Sequence, residues 1–503
     1  MRQISLVLIL ACAAVMPALA QKNTLKGADK FGKTITAEDF KKHLYIIAGP
    51  EMEGRETATE GERKAAAYIT DFFKSIGLPP GNNGSYFQPF PVYSDQFKSA
   101  AIEVNGVALE IDKDFAVPSS NYNATQYFSE VVYLNEGNFT DSDNDFKDID
   151  VKGKLVLIRL VKSENGRVVG TRGNPNMKVA AAMQHGAAAV LLVQTGFPRP
   201  PAGGQGRPRI YINTFGKSVG PNTFTISESV ADRIMGADWK LALEGKIAPK
   251  VYSANVMVEY QKTVNRMYAN NILGYLEGTD KKDELLVISA HYDHIGMTEN
   301  EINQGADDNG SGTVAVMKMA EAFMQAKKAG KGPRRSILFL LVSGEEKGLW
   351  GSAYYANHPV YPLEKTTVNL NIDMIGRIGN DYKAADSNNY IYVIGDDKLS
   401  SDLRPINEAA NKRFVKLNLD YRYNGNDPNR FYYRSDHYNF AQKGVPAIFY
   451  FSGVHADYHR PSDTPDKINY PLAAKRAQLV FYTAWEMANR NEMLKRDRPL
   501  DLK

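Results

Sequence analysis

Between residues 285 and 489, short apolar runs alternate with helical stretches, and a His, Asp or Glu follows each run. Residues 285–290 read as a strand that delivers His291, and a loop carrying Asp307 then leads into a helix over 312–326. A second run, 337–342, is followed by a loop with Glu345 and Glu346 and by a short helix near Trp350. A third run, 368–372, ends at Asp373; a fourth, 447–451, precedes the loop that holds His459, and a last helix covers 471–489. Strand–loop–helix repetition predicts an α/β fold with a mixed, largely parallel central sheet flanked by helices. Sites in such sheets form outside the carboxyl ends of the strands. Four of the acid- or imidazole-bearing segments fall there, and Asp307 lies on the next loop.

Each of these residues has an ordinary reading when taken alone. His291 fits a satisfied core histidine, Asp307-Asp308-Asn309-Gly310 a turn, Glu345-Glu346 a helix cap, Asp373 a hydrogen-bonded acid and His459 a surface histidine. Their conjunction points elsewhere. Adjacent acids at the end of a buried strand repel unless a cation or proton intervenes. Imidazole and carboxylate together suit zinc, with manganese or cobalt as substitutes. Asp307, Glu346 and Asp373 with His291 and His459 would leave two divalent ions with residual positive charge, which lowers the pKa of a bridging water. Glu345 would take the proton of that water as general base and pass it to a leaving amine. Asp293, two residues beyond His291, fits a carboxylate that receives the other ring N–H of a ligating imidazole, and Asp463 is available to orient His459. The expected chemistry is metal-assisted hydrolysis of an amide.

Upstream, helices are expected over 37–48 and over 61–76, the second stopping at Gly77. Residues 115–235 differ in texture, with strands at 129–133, 155–160 and 187–193, a small-residue helix at 177–185 and a Pro/Gly-rich loop at 197–208. The apolar pattern then resumes, with strands expected at 257–260 and 271–277. The stretch therefore reads as an insert, and the expected domains are 21–110 and 251–503 for the main domain and 111–250 for the insert. Arg2, the apolar stretch 4–15 and Ala18-Leu19-Ala20 read as a signal peptide over 1–20, with export to the periplasm or the medium. Cys12 is the one cysteine and would leave with it, so no disulfide, thiolate ligand or cysteine nucleophile is expected; Leu10 and Ala11 make a poor lipid-anchor site. Lys+Arg 61 against Asp+Glu 57 is too near balance to argue for nucleic acid, and no later segment approaches a membrane span. Gly216-Lys-Ser218-Val-Gly220 matches the nucleophile-elbow pattern but lacks the strand before and helix after.

The segments SAHYDHIG (289–296), GADDNGSG (305–312), SGEEKGLWGS (343–352), NIDMIGR (371–377), RSDHYNF (434–440) and YHRPSDTPD (458–466) closely resemble the M28 family of metallopeptidases, the di-zinc aminopeptidases. Residues 53–78 are similar to that family's N-terminal entry, and 151–158, 178–193 and 224–235 resemble a protease-associated (PA) domain insert of α+β type. The resemblance implies the zinc exopeptidase fold, peptide substrates and two zinc ions. It implies His291, Asp307, Glu346, Asp373 and His459 as ligands, with Asp307 bridging: His291 and Asp373 complete one site, Glu346 and His459 the other. Glu345 takes the general-base position. The peptide bond after the bridging acid, here Asp307–Asp308, is expected to be cis. Tyr458 falls where relatives hold the tetrahedral intermediate, and Tyr432 and Arg434 are candidates for substrate contacts. Related patterns serve carboxypeptidases for acidic peptides and glutaminyl cyclases. An exported peptide-binding module with a structural metal is the alternative of another class. Side-chain preference and oligomeric state are not specified by these motifs.

Overall fold

The computed structural model describes residues 25–118, 120–160, 174–198, 209–213, 219–383 and 388–500. The expected signal peptide, with Cys12, lies outside the described residues, as do 216–218 of the Gly-Lys-Ser-Val-Gly segment. The chain forms two compact units, Met1–Pro91 with Tyr268–Lys503, and Val92–Met267. The expected insert, 111–250, lies within the second.

The first unit is built on a mixed sheet. Its strands run in the order Asn418–Asp420, Tyr390–Ile394, Ala447–Phe451, Thr366–Ile372, Lys281–His291, Arg335–Val342, and the last residues of Lys250–Leu276. The central strands are parallel: Lys281–His291 pairs with Arg335–Val342 on one side and Thr366–Ile372 on the other, and Thr366–Ile372 pairs in parallel with Ala447–Phe451. Tyr390–Ile394 runs antiparallel to Ala447–Phe451 and parallel to Asn418–Asp420, and residues 272–276 run antiparallel to Arg335–Val342. Every residue of Arg335–Val342, Thr366–Ile372 and Ala447–Phe451 is buried, so both faces of the sheet must be covered.

One face is covered by the helices Gly312–Lys328 and Tyr470–Asn489, where Phe323 packs against Phe481 and Trp485 with ring centroids 4.6 and 5.8 Å apart. Ala37–Ile47 and Glu60–Ile76 join this layer. Thr36 caps the first by accepting the Asp39 N–H, and Gly77, at φ 78°, ends the second in the left-handed conformation that glycine adopts without strain. The other face carries Leu273, Val287, Leu338 and Leu340 against Tyr355 and Phe440 from the short helices Trp350–Asn357 and His437–Gln442.

The expected elements of this unit recur with shifted ends. Three features differ. The strands expected at 257–260 and 271–277 are parts of one continuous run, Lys250–Leu276, and Tyr390–Ile394 and Asn418–Asp420 extend the sheet where no strand was read.

The second unit has its own core. Ala124–Tyr133 pairs antiparallel with residues of Lys250–Leu276 and in parallel with Leu155–Arg159, which is followed by Ala189–Val193 and Asn222–Ile226, again parallel. Val131, Leu155, Leu157, Leu191 and Phe224 line one side with the helix Glu228–Met235; Val132, Val156, Ile158 and Val190 line the other with Pro175–Gln184.

Candidate metal centre

Three adjacent parallel strands of the first unit bring their carboxyl ends together. Lys281–His291 ends on His291, Thr366–Ile372 is followed by Asp373, and Arg335–Val342 leads through Ser343 and Gly344 to Glu345 and Glu346. His291 is 1% exposed, and its Nε2 lies 3.4 Å from Asp373 Oδ1 and 3.5 Å from Asp308 Oδ1. Among the described residues neither His291 Nε2 nor Asp373 Oδ1 has a hydrogen-bond partner. Two buried acceptor-type atoms that face each other unbonded are costly unless something electrophilic sits between them. His291, Asp308 and Asp373 thus have the donors and the spacing to hold a cation.

A second cluster lies beside the first. His294 Nδ1 is 2.7 Å from Glu346 Oε1, and His459 Nε2 is 3.0 Å from Glu346 Oε2 and 3.1 Å from Asp308 Oδ2. His294, Asp308 and Glu346 offer ligand atoms close enough for one ion, and His459 closes the group from its loop. Asp308 belongs to both clusters through its two oxygens. Burial and the neighbouring Glu346 push the Asp308 carboxyl up. His459 is pushed up to about 10, because Asp308 and Glu346 outweigh the burial that opposes its charge. His291 is raised well above its usual value in the same way, burial being outweighed by Asp373 and Glu345. Carboxylates and imidazoles so placed are the donor set a divalent ion would take over.

The structure places Asp308, and not Asp307, between the clusters. Asp307 turns away: its Oδ1 accepts the Gly376 N–H at 2.5 Å and its Oδ2 lies 3.3 Å from His455 Nε2. The cis peptide bond of this turn is Asp308–Asn309, one residue beyond the expected position. Asp463, expected to orient His459, instead receives the backbone N–H groups of Asp307 and Asp308 at 3.0 to 3.2 Å. Asp293 meets His291 through its main-chain oxygen, 3.1 Å from Nδ1, while its carboxylate lies 3.7 Å away and accepts the Thr57 hydroxyl and the Glu345 N–H. Gly305 opens the acidic turn at φ 55°, where a Cβ would meet the Asp308 carbonyl oxygen at 2.2 Å and the His294 ring at 2.5 Å. Only glycine lets the turn close on His294.

Two positioning groups were not foreseen. Ser435 donates its hydroxyl to Asp373 Oδ2 at 2.7 Å and so aims the other oxygen at His291. Arg55, fully buried, donates to the carbonyls of Ile47, Tyr292, Gln304 and Gly305 at 2.7 to 2.9 Å. It ties the segment Pro50–Arg55 to both loops that carry the imidazole and the acidic turn. The signals were present in RSDHYNF and EGRETATEG, but no rule of spacing singles them out.

Glu345 Oε2 lies 3.9 Å from His291 Nε2. Burial, beside Asp373 and Glu346, raises its carboxyl well above the usual range. It lines a small cleft with Asp308, Asp373, Met374, Phe431, Arg434, Phe449, Phe451, Val454 and Tyr458. The Tyr458 ring stacks on His459 with centroids 3.9 Å apart, and its hydroxyl lies 3.4 Å from Arg434 Nη2. Tyr432 does not reach this cleft. It is 5% exposed, packs edge-on to His437 and Tyr438, and lines a separate groove with Lys398 and Tyr423.

Known proteins resemble this chain in sequence and in fold. A model of Peptidase family M28 matches residues 271–484. A probable leucine aminopeptidase of Arthroderma otae is 27% identical over 266 residues, which is 51% of this chain and 68% of that protein. Aminopeptidase YwaD of Bacillus subtilis is 25% identical over 239 residues, 46% of this chain and 47% of that protein, so the match spans about half its length. The solved aminopeptidase from Aneurinibacillus sp. strain AM-1 shares the fold, with a TM-score of 0.53 at 20% identity over 94% of this chain and 99% of that one.

Proposed function

We infer that this chain, which belongs to peptidase family M28, is a zinc-dependent aminopeptidase that releases the amino-terminal residue of peptides. The observation that carries this reading is the convergence of imidazole and carboxylate ligand atoms on two adjoining points, unbonded at His291 Nε2 and Asp373 Oδ1, with Asp308 touching both and the carboxylate of Glu345 beside them. The donor set fits two zinc ions: His291, Asp308 and Asp373 for one, and Asp308, Glu346, His459 and the additional imidazole of His294 for the other. Zinc bound there would polarise a peptide carbonyl and make water a nucleophile at neutral pH.

The protein groups divide the remaining work. Glu345, largely buried beside His291, holds the proton removed from the attacking water and returns it to the leaving amine. The Tyr458 hydroxyl faces the same cleft and donates to the scissile carbonyl oxygen as negative charge grows on it. Met374, Phe449, Phe451 and Val454 keep the cleft apolar on one side and exclude bulk water. Asp308, Glu345 and Asp373 favour a substrate that enters amino end first. The reading of 111–250 as a PA-type insert rests on the resemblance of its segments, and the reading of export rests on the apolar stretch before Ala18-Leu19-Ala20.

The test is release of amino acids from peptides with free and with acetylated amino termini, with zinc supplied or chelated. Zinc-dependent release that needs the free amine is expected. Release from the carboxyl end, indifferent to acetylation, would move the assignment to a carboxypeptidase. Glu345→Gln should lower kcat by roughly 10²- to 10⁴-fold with zinc still bound; full hydrolysis by that variant would remove Glu345 from the chemistry.

A further inference from the structure

We propose that Arg434 is a specificity residue that pairs with a carboxylate carried by the substrate residue just after the scissile bond. The proposal rests on the aminopeptidase reading above and adds a substrate class: short peptides, dipeptides first, whose second residue presents a negative charge. Among the described residues that line the catalytic cleft Arg434 is the one Arg or Lys, and it shares that lining with Asp308, Glu345 and Asp373. Among the described residues it forms no ion pair. Other arginines of the same unit do: Arg377 pairs with Asp457, Arg404 with Asp396 and Arg422 with Asp420. An exposed arginine without a partner is ordinary on an open surface. This one is held in place at the mouth of a site.

The guanidinium lies over the Phe431 ring, 5.0 Å from its centroid, and Nη2 reaches the Tyr458 hydroxyl at 3.4 Å. Contact with an aromatic face restrains the guanidinium and leaves N–H groups of the fork open. The backbone at Arg434 is fixed as well, because the next residue, Ser435, is bonded to Asp373. A fork held this way loses little entropy when it accepts a planar carboxylate in a two-point contact.

The distances set where that carboxylate sits. If Tyr458 donates to the scissile carbonyl, Arg434 lies one hydrogen-bond length beyond it. One extended residue spans ~3.5 Å, so the group reached is the carboxylate that follows the leaving nitrogen, not one several residues away. Orientation agrees: the amino end of the substrate lies towards the acids and its carboxylate towards Arg434. The carboxylate has two possible sources, the free terminus of a dipeptide or an acidic side chain at its second position.

The test compares three substrates with one first residue: leucyl-leucine, its carboxyl amide, and leucyl-glutamic acid α-amide, in which the acid is on the side chain. In the zinc-loaded wild type, kcat/KM for leucyl-leucine should exceed that for its amide by roughly 10- to 100-fold, mainly through KM. Arg434→Gln should bring that ratio to about one. Arg434→Lys, which keeps the charge but not the fork, should give an intermediate ratio and guards against a variant that fails to fold. Recovery of the preference with the side-chain acid would assign the contact to either carboxylate; no recovery would assign it to the terminus alone. Equal kcat/KM for all three in the wild type, or a ratio that survives Arg434→Gln, would overturn the proposal. A fall in kcat of the same size on every substrate would place Arg434 with Tyr458 on the reacting carbonyl and overturn it too. No release from any substrate by zinc-loaded wild type would remove the aminopeptidase reading and this proposal with it.

Discussion

Glu62 supports the floor of the metal centre, and its proton makes stability depend on pH in a direction that can be measured. It sits in the helix Glu60–Ile76, is 1% exposed, and accepts the N–H groups of Ala58 and Asn270. Its Oε1 lies 2.9 Å from the hydroxyl of Tyr292, the residue after His291. That hydroxyl also lies 2.7 Å from the Asn270 carbonyl. A phenol has one proton to give. When the carbonyl receives it, the contact with Glu62 is satisfied only if the carboxyl is protonated. Burial, against the hydrogen bonds it accepts, pushes Glu62 up to about 7 from 4.5.

A folded pKa above the unfolded one means that the folded state binds the proton more tightly. The associated stability is complete below pH 4.5 and is withdrawn as pH rises through about 7. The gap of about 2.5 units, at ~1.36 kcal/mol per unit, corresponds to about 3 kcal/mol. Glu62→Gln keeps the shape, donates to Tyr292 from its amide and cannot ionise. Denaturant unfolding of both proteins between pH 4.5 and 8, at equal metal content, reads the difference. The fluorescence of Trp350 and Trp485 reports on the unit that holds Glu62. The wild type should lose about 3 kcal/mol relative to the variant across that range. Parallel curves would show that Glu62 is ionised throughout and that the proton-sharing argument is wrong.

Two further outcomes follow from the same geometry. Asp308→Asn should strip ligand oxygens from both clusters and abolish tight zinc binding, whereas Asp307→Asn should keep the zinc stoichiometry; metal analysis after dialysis against a weak chelator separates them, and the reverse pattern would restore Asp307 as the bridge. His437 is buried, its ring stacked on Phe449 at 4.9 Å, and burial pulls it down to about 3 from 6.5. The neutral folded ring gives stability that is present above pH 6.5 and lost as pH falls towards 3, about 5 kcal/mol at ~1.36 kcal/mol per pH unit. His437→Leu should therefore flatten the acid side of the pH–stability curve, and an unchanged slope between pH 6.5 and 4 would contradict this.

Apolar period and the placement of acids at strand ends made the sheet of the first unit and most of its site legible, because both are local signals. His291, Glu346, Asp373 and His459 each follow a buried run, and burial of a run fixes where its end emerges. The choice between Asp307 and Asp308 is not local. In a turn opened by Gly305 two adjacent acids point to opposite sides, and which one faces the imidazoles is decided by partners far away in sequence. Asp463 draws in the N–H groups of both, and Gly376 takes the carboxylate of Asp307. The same holds for His294: its position three residues past His291 says nothing until the backbone between them folds over Arg55. The run Lys250–Leu276 was read as two strands because its middle residues are exposed and polar, which breaks the apolar pattern without breaking the extended backbone. Tyr432 shows the converse error. The resemblance offered it with Arg434 as a candidate substrate contact, yet the turn Phe431–Tyr433 brings Phe431 to the cleft and Tyr432 to a separate groove. Periodicity thus locates the elements that carry ligands; which side chain of an adjacent pair becomes the ligand is set by hydrogen bonds to backbone groups that no window of sequence contains.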